Sequence, residues 1–385
     1  MRYPIGIQTF EKIIEGKFAY VDKTDLVYNL AQENICFLSR PRRFGKSLLV
    51  SMLEAYFLGK KELFEGLKID TLGLEKDWES YTVFRIDFAT GNFNNTDELS
   101  NTLDGLLADW EQLYCKDTNK KTFGERFRYI LEQAHKKTGK KAVVLIDEYD
   151  KPLLDVLGDE QENINRNILK GFYGTFKAAD AHLRFVFLTG VTKFSQITVF
   201  SGFNQPKDIS MDSRYDAICG ITEEELHSVF AEPIHTMAET LGHSDDEMKA
   251  VLKKHYDGYH FSSRMVDIYN PFSIINALDK MEIYDYWYAS GTPTYLAALL
   301  QGHHVNLQKL LSKEYRAKYF VDYRADYEEP LAMLYQSGYV TIKNYSSRDG
   351  LYTLDFPNDE VRSGFSTLTA NLYFGTKEED SDNWV

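Results

Sequence analysis

The segment Ser39-Arg-Pro-Arg-Arg-Phe-Gly-Lys-Ser47 has the residue types of a phosphate-binding loop. It stands between an apolar run that predicts a strand and a helical pattern that begins at Leu48. A strand that turns into a helix presents unpaired backbone N–H groups and the positive end of the helix dipole to an anion. Lys46 adds a charge for the β and γ phosphates, and Ser47 would place its hydroxyl on Mg²⁺.

This loop departs from the general pattern G-x-x-x-x-G-K-[ST], because Arg40 stands where the pattern has glycine and Pro41 lacks a backbone N–H. A Gly-Lys-Ser match standing alone would more often be a chance event. The three arginines of the loop could contact phosphate, contact a nucleic-acid backbone or remain solvated, and these alternatives stay open. The predicted nucleotide-contacting residues are Arg40, Arg42, Arg43, Phe44, Gly45, Lys46, Ser47 and Leu48.

Two adjacent carboxylates, Asp147 and Glu148, follow an apolar run over Ala142 to Ile146. Neighbouring side chains of a strand point in opposite directions, so the two groups can have separate roles at the carboxyl edge of a sheet. Asp147 is predicted to hold Mg²⁺ opposite Ser47, and Glu148 to orient and polarise the attacking water. Alone, such a pair would more often be a solvated turn. The phosphate loop earlier in the chain favours the catalytic interpretation.

The strand that starts at Arg184 is predicted to lie beside the acidic strand. Thr189, Thr192 or Lys193 at its carboxyl end could contact the γ-phosphate as a sensor, and simple capping of the strand end is about equally expected for each. The extra strand Val83 to Phe88 favours the branch of P-loop NTPases (ASCE, AAA-like) that places a glutamate beside the metal aspartate. The predicted catalytic residues are Lys46, Glu148, Thr189 and Thr192.

The elements that must position these groups follow from hydrophobic periodicity. The first half of the chain alternates short apolar runs with helical periods, which is typical of an α/β sheet built from crossover units. The four predicted strands are Ile35 to Leu38, Val83 to Phe88, Ala142 to Ile146 and Arg184 to Leu188. The helical patterns between them begin near Leu48, Leu99, Phe123 and Ile164.

Beyond about residue 220 the pattern changes to helices with clear start signals. Two capping boxes, Thr222 with Glu225 and Ser244 with Glu247, and the pairs Asn270-Pro271 and Thr292-Pro293 mark helix starts. A helix through Leu331 and Leu334 precedes a predicted hairpin at about 338–356, an order that suggests a winged-helix unit. We therefore expect a P-loop ATPase-like domain over 1–219 and a helical lid with a winged-helix-like unit over 220–385.

Composition and charge narrow the functional class. The chain of 385 residues has 44 basic and 58 acidic residues, a net charge of −14, so any nucleic-acid contact needs a local basic patch. Three cysteines fit reduced thiols better than a disulfide framework. No stretch approaches the ~20 apolar residues that span a bilayer. These features predict a cytoplasmic protein without membrane contact.

Seven segments together resemble one family. They are Tyr20-Val-Asp-Lys-Thr24, Leu38-Ser-Arg-Pro-Arg-Arg-Phe-Gly-Lys-Ser-Leu48, Leu145-Ile-Asp-Glu-Tyr-Asp-Lys-Pro152, Leu188-Thr-Gly-Val-Thr-Lys-Phe-Ser195, Tyr256-Asp-Gly-Tyr-His-Phe261, Tyr269-Asn-Pro-Phe-Ser273 and Ser290-Gly-Thr-Pro-Thr294. In these segments the chain resembles the bacterial AAA-ATPase-like proteins, which commonly carry a PD-(D/E)xK nuclease domain at the carboxyl end. The form of the loop with Arg40 is similar to that family's own version.

The resemblance implies ATP and Mg²⁺ as ligands, ATP hydrolysis, and a link to nucleic acid through a nuclease domain that this chain does not contain. Three hypotheses follow. The first is a Mg²⁺-dependent ATPase that drives a conformational switch. The second is a non-hydrolysing, nucleotide-gated module that binds DNA or protein through the winged-helix unit. The third is the regulatory half of a nuclease. An oligomer is compatible with all three.

Three weaker features have plain structural alternatives. The Tyr20–Thr24 segment is placed where related NTPases contact adenine or ribose, but a helix start capped by Asp22 or Thr24 is somewhat better supported. Arg214 could supply a cation to the γ-phosphate, although an ordinary surface arginine is the stronger expectation. The histidines lack companions at metal spacing, so surface or core positions are expected for them; they are His255, His260, His303 and His304.

Overall fold

A computed structural model of the chain describes residues 1–194, 206–291, 296, 300, 307–323 and 330–374. These residues form two compact units, each discontinuous in sequence. The sheet unit comprises Asp22–Ser39 and Ser47–Ile209. The helical unit comprises Met1–Val21, Arg40–Lys46 and the described residues from Ser210 onward. The chain passes from the sheet unit to the helical unit for the last time between Ile209 and Ser210, and Arg40–Lys46 of the phosphate loop belong to the helical unit. The domain boundary expected at 219/220 stays a prediction.

The sheet unit is built on five parallel strands in the order β2-β3-β4-β1-β5. All four predicted strands are present, and the two-residue β5 was not predicted because so short a run carries no pattern. The α/β class with a parallel sheet flanked by helices is therefore confirmed. The strands are β1 (Ile35–Ser39), β2 (Val83–Asp87), β3 (Ala142–Asp147), β4 (Leu183–Gly190) and β5 (Lys207–Asp208).

The order of these strands determines what lies at the carboxyl edge of the sheet. Strand β4 lies between β1 and β3, with Ser39 in register with Gly190 and Ile146 with Leu188. Every residue of β3 is buried, as expected of a strand covered on both faces. The end of the loop strand and the acidic end of β3 are thus separated by one strand, β4.

Helices flank the sheet, and α6 has clear start and stop signals in the sequence. Thr122 and Glu125 form a capping box at the start of α6, and Gly139 ends that helix with a left-handed φ of 71°. The helices of this unit are α2 (Thr24–Ala31), α3 (Lys46–Phe57, whose first residue groups with the other unit), α4 (Lys68–Thr71), α5 (Glu98–Tyr114), α6 (Phe123–Thr138), α7 (Lys151–Leu154), α8 (Glu160–Tyr173) and α9 (Thr175–Ala178).

The helical unit has its own core, formed by apolar residues such as Phe230, Met237, Leu252 and Ile274. The capping boxes at Thr222 and Ser244 are confirmed, as is the helix start at Asn270. The helices are α1 (Phe10–Glu15), α10 (Glu223–Val229), α11 (Ala231–Leu241), α12 (Asp245–Tyr256), α13 (Pro271–Lys280), α14 (Tyr286–Ala289), α15 (Leu307–Leu311), α16 (Lys318–Val321), α17 (Leu331–Gln336) and α18 (Asp359–Phe374).

Two small antiparallel sheets complete this unit. Strands β6 (Ile221–Thr222) and β7 (Ile268–Tyr269) pair with each other, and a second sheet has the order β8-β10-β9. The predicted hairpin is confirmed as β9 (Thr341–Ser346) and β10 (Leu351–Asp355), with β8 (Glu314–Tyr315) beside β10. The winged-helix interpretation of this segment stays a prediction.

Some sequence-based predictions fall outside the described residues: Thr292-Pro293, His303 and His304. Among the helices that the structure does describe, none combines the length and the apolar character needed to cross a bilayer.

Candidate functional site

The phosphate loop joins β1 to the twelve-residue helix α3. Its backbone has positive φ at Arg43 (66°) and at Gly45 (90°), two residues apart. Backbones that alternate between the right- and left-handed regions turn successive N–H groups into one concavity that binds anions. A Cβ added at Gly45 would meet no atom within 4 Å, so glycine is favoured there by its φ rather than by crowding. The loop thus has the geometry of an anion site at a helix start.

Lys46 is buried although it carries a charge. Its Nζ donates to the backbone carbonyls of Arg40 and Pro41, both at 3.2 Å. The ammonium group is therefore held across the loop by the loop's own carbonyls. The contact of Lys46 with phosphate stays a prediction.

The guanidinium of Arg40 is buried and anchors the loop within the helical unit. It donates to the carbonyl of Ser210 at 2.8 Å and to that of Tyr215 at 3.1 Å, and it lies 3.9 Å from the ring centre of Phe261. The sequence left open whether Arg40 contacts phosphate, contacts nucleic acid or is solvated, and its burial excludes solvation. A phosphate contact from Arg40 stays a prediction, since these bonds already give its side chain a structural role.

The other two arginines also lie on aromatic rings. Arg42 lies 5.0 Å from the ring of Trp287 and donates to its carbonyl at 3.3 Å. The indole Nε1 of Trp287 donates in return to the Arg42 carbonyl at 3.2 Å. Arg43 is exposed and lies 4.9 Å from the ring of Phe272. Arg43 is therefore the loop arginine most accessible to a ligand.

Phe44 anchors the middle of the loop. It is buried and packs edge-on against Tyr259 at 4.8 Å and Phe261 at 5.6 Å. Gly338 lies against Pro41, where a Cβ would approach the proline Cβ to 2.7 Å. The Phe44 side chain thus has a packing role, and its predicted contact with nucleotide stays a prediction. The role of the Tyr256–Phe261 segment as the support of this loop was missed by the sequence analysis.

Asp147 ends β3 and is fully buried. It is in register with Asp87 of β2, and its Oδ1 accepts the Glu148 backbone N–H at 3.0 Å. Glu148 has a φ of 52°, in the left-handed region that a residue with a side chain adopts at a cost of about 1–3 kcal/mol. Left-handed non-glycine residues are concentrated at functional sites. Both predicted acidic residues therefore lie at the carboxyl edge of the sheet, one of them strained.

Asp150 fastens the turn after β3 to the end of β4. Its Oδ2 accepts the backbone N–H groups of Val191 at 3.0 Å and Thr192 at 2.6 Å. The hydroxyl of Tyr149 donates to the Thr192 carbonyl at 2.8 Å. The sequence analysis assigned no role to Asp150. Its position three residues after Asp147, in a segment shared with the resembling family, is the signal that could have found it.

The predicted sensor residues are all placed by β4 and the turn that follows it. The Thr189 hydroxyl donates to the Leu38 carbonyl of β1 at 2.9 Å, and the backbone of Thr192 is bound by Asp150 and Tyr149 as described above. Lys193 forms an ion pair with Asp208 at 2.9 Å. Contact with a γ-phosphate stays a prediction for each. The hydrogen bond from the Thr189 hydroxyl to Leu38 joins β4 to β1 and so stabilises this pair of strands.

The weaker candidates take structural positions. Asp22 accepts from the N–H and hydroxyl of Thr24 at 2.9 and 2.7 Å and so supports the start of α2. Arg214 is paired with Asp212 and its side chain is 59% exposed, the state expected of a surface arginine.

Of the four histidines named in the sequence analysis, His255 and His260 have carboxylate partners, which that analysis did not foresee. His255 lies 3.0 Å from Asp285, and His260 lies 2.7 Å from Asp267. Within the described part of the chain, however, His, Cys, Asp and Glu form no group of three that could hold a metal ion.

Comparison with known proteins gives two matches. Residues 4–200 match the family described as "Predicted AAA-ATPase", a range that includes the loop, the acidic pair and β4. Over 376 residues the chain is 38% identical to a protein of Azotobacter chroococcum mcd 1 described as "Uncharacterized protein in vnfD 5'region". That alignment covers 95% of this chain and 69% of the Azotobacter protein.

Proposed function

The chain belongs to the AAA-ATPase-like family, and on that premise we propose that it binds ATP at the phosphate loop and hydrolyses it with Mg²⁺. The observation that carries the proposal is the loop backbone, with positive φ at Arg43 and Gly45 and the Lys46 ammonium held by two loop carbonyls. A bare Gly-Lys-Ser match would not require this conformation. It is the arrangement expected where backbone N–H groups and one lysine bind phosphate.

Binding would replace the present contacts of Lys46. Its Nζ leaves the carbonyls of Arg40 and Pro41 and pairs with a phosphate oxygen, a charge-assisted bond that is stronger than a bond to a neutral carbonyl. The N–H groups at the start of α3 supply further donors. Arg43, exposed beside them, adds a second cation. Because Lys46 is already confined to the loop, little side-chain entropy is lost on binding.

Hydrolysis requires a group that orients water toward the γ-phosphorus. Glu148 is the proposed group, and its left-handed backbone is the strain that supports this role. The bonds of Asp150 and Tyr149 to residues 191–192 hold the turn that carries Glu148. Water attacks the γ-phosphorus, the bond to ADP breaks, and inorganic phosphate leaves. Ser47 and Asp147 would hold Mg²⁺, and the ion would neutralise charge on the β and γ phosphates.

The nucleotide state is proposed to drive a conformational switch through Trp287. This residue exchanges hydrogen bonds with Arg42 of the loop, and its backbone N–H donates to Glu360 at 2.6 Å. Glu360 also accepts from the Ser273 hydroxyl at 3.0 Å. The loop is thereby linked to α13, α14 and α18 within the helical unit. A change in the loop on binding ATP would alter these bonds and bias the helices.

The proposal is tested by titrating the protein with ATP, ADP and GTP, with and without Mg²⁺. We expect saturable binding of ATP and a loss of at least about tenfold in affinity for Lys46→Ala, since a charge-assisted phosphate contact is removed. Lys136→Ala, which changes an exposed lysine on α6, is the matched control and should bind normally. Equal affinity of the Lys46 variant and the wild type would refute the assignment of the loop.

A non-hydrolysing, nucleotide-gated module is the alternative. Two observations favour it: Pro41 supplies no N–H to the loop, and the Thr189 hydroxyl is already donated to Leu38. In that case ATP binds but no phosphate is released, with or without duplex DNA, and the β9–β10 hairpin would be the surface offered to DNA or protein. A nuclease domain joined to this chain in a longer protein remains a proposal that rests on the family resemblance.

A further inference from the structure

A cavity of about 240 Å³ lies in the sheet unit, away from the phosphate loop. Its walls come from the end of α2, the end of α3, the segment before β2 and the first residues of β4. Since the strands are parallel, this is the amino edge of the sheet, whereas the loop follows the carboxyl edge. Helix α3 has Ser47 at one end and Tyr56 at the other, about 14 Å apart along its axis.

Several aromatic side chains line the cavity. Trp78 packs 5.9 Å from Tyr56 and 5.0 Å from Phe64, and it is only partly buried. Tyr28 and Tyr81 also line the space. The face of an aromatic ring attracts cations, including cations that have organic groups attached.

The backbone holds Trp78 in an unfavourable conformation. Its φ is 43°, a left-handed value that is a genuine outlier for so bulky a residue. The turn is fixed against α3, because a Cβ on Gly59 would lie 3.1 Å from the Trp78 carbonyl. The chain thus maintains strain of about 1–3 kcal/mol to present this indole, and such strain is concentrated at ligand clamps.

Carboxylates also line the cavity. Glu75, Asp77 and Glu79 line the cavity against one guanidinium, that of Arg184. Glu75 accepts from the Tyr56 hydroxyl and from the backbone N–H groups of Lys76 and Asp77. Burial opposes ionisation of Glu75, but these hydrogen bonds outweigh it and lower its pKa. The cavity therefore has an excess of fixed negative charge beside its rings.

The surrounding structure already pairs cations with these groups. The Lys140 ammonium lies 5.4 Å from the ring centre of Tyr81 and 3.8 Å from Glu79. The Arg184 guanidinium lies 5.9 Å from the ring centre of Phe57. Two cations are therefore already placed near rings that line the cavity, and Trp78 with Glu75 and Asp77 supplies the same residue types.

We propose that this cavity binds an organic cation, an alkylammonium or guanidinium group, between the ring of Trp78 and the carboxylates of Glu75 and Asp77. The group belongs either to a free amine or to a lysine or arginine side chain of a partner. The volume accommodates the end of such a side chain. The aromatic walls distinguish the cavity from a metal site, which would need more oxygen ligands.

The test is calorimetric titration of the full chain with 1,5-diaminopentane, with agmatine and with a tripeptide that has lysine at its centre, with acetate as the anionic comparison. We expect the cations to bind and acetate not to bind. Tighter binding of the tripeptide assigns the site to a partner's side chain, and tighter binding of the free amines assigns it to a small molecule.

Two variants make the test specific. Asp77→Asn removes a charge, and Trp78→Leu removes the ring; each should weaken cation binding about tenfold. Glu62→Gln, at an exposed glutamate outside the cavity, should bind as the wild type does. If the Trp78 variant fails to fold, the Asp77 variant and the quenching of indole fluorescence by the cation still show whether the cation binds in this cavity. Preferred binding of acetate, no cation binding, or unchanged binding by Asp77→Asn would overturn the proposal.

This inference does not depend on the proposed ATPase activity. Lys46→Ala should lose ATP binding and keep cation binding. Asp77→Asn should keep ATP binding and bind the cation more weakly. The failure of one proposal can therefore be separated from the failure of the other.

Discussion

The carboxylate of Asp150 occupies the space in which a side chain at Gly190 would stand: a Cβ built on Gly190 would lie 2.2 Å from Asp150 Oδ1. From that position Asp150 binds two backbone N–H groups beyond β4. These hydrogen bonds therefore hold the turn that carries Glu148 against the end of β4. This arrangement requires that residue 190 has no side chain.

Gly190→Ala is expected to displace Asp150 and to lower the free energy of unfolding by about 2–4 kcal/mol, because crowding is added and buried hydrogen bonds are broken. Urea denaturation measures the change. Gly171→Ala is the matched control: it lies within α8, where an added Cβ meets no atom within 4 Å, so it should be neutral or slightly stabilising. Equal stabilities of the two variants would contradict the account of Asp150.

Arg40→Lys is expected to destabilise the protein by about 2–3 kcal/mol, although the charge is kept. A lysine cannot reach both the Ser210 and Tyr215 carbonyls while stacking on Phe261. Thermal unfolding measures the effect, and Arg43→Lys, at an exposed position, is the control. If Arg40→Lys instead keeps full stability but loses ATP affinity, its predicted phosphate contact is correct and the anchoring role is not.

Glu148→Gly is expected to raise the free energy of unfolding by about 0.5–1 kcal/mol while abolishing turnover. Glycine adopts a φ of 52° without strain, although it also gains entropy in the unfolded chain. Glu148→Gln, which keeps the strain, should leave stability unchanged. A destabilised glycine variant would show that the Glu148 side chain contributes more to stability than its backbone costs.

Glu360 should make stability fall as the pH rises. Burial raises its pKa from 4.5 to about 8, against the opposing hydrogen bonds from Trp287 and Ser273, with Asp285 adding to the rise. Between these values the native state holds a proton that the unfolded chain releases, so unfolding becomes easier with increasing pH. Asp257, with a pKa raised to about 6 chiefly by burial, acts in the same direction at lower pH.

Melting temperatures measured between pH 5 and 8 test this effect. Glu360→Gln keeps an oxygen for both hydrogen bonds and should flatten the decline, whereas Glu62→Gln at an exposed site should not. An unaltered pH profile in Glu360→Gln would mean that its carboxyl is not the titrating group.

The sheet was predictable because its main strands are rich in apolar residues, and β3, which is buried along its whole length, is the clearest example. In β2 the pattern is different, since buried Phe84 and Ile86 alternate with less buried residues. The phosphate loop was predictable because its residues are contiguous. The anchoring of Arg40 was not, since its partners are backbone carbonyls, which have no sequence pattern. The pairing of Asp150 with Gly190 joins residues forty positions apart, and it escapes any local pattern for that reason.

The most direct test of the central claim is Mg²⁺-dependent phosphate release, measured together with ATP binding for the wild type and Glu148→Gln. We expect the wild type to release phosphate and the variant to bind ATP with similar affinity while turnover falls by orders of magnitude. Phosphate release at the wild-type rate by Glu148→Gln would contradict the assigned mechanism. No ATP binding by the wild type would contradict the site itself.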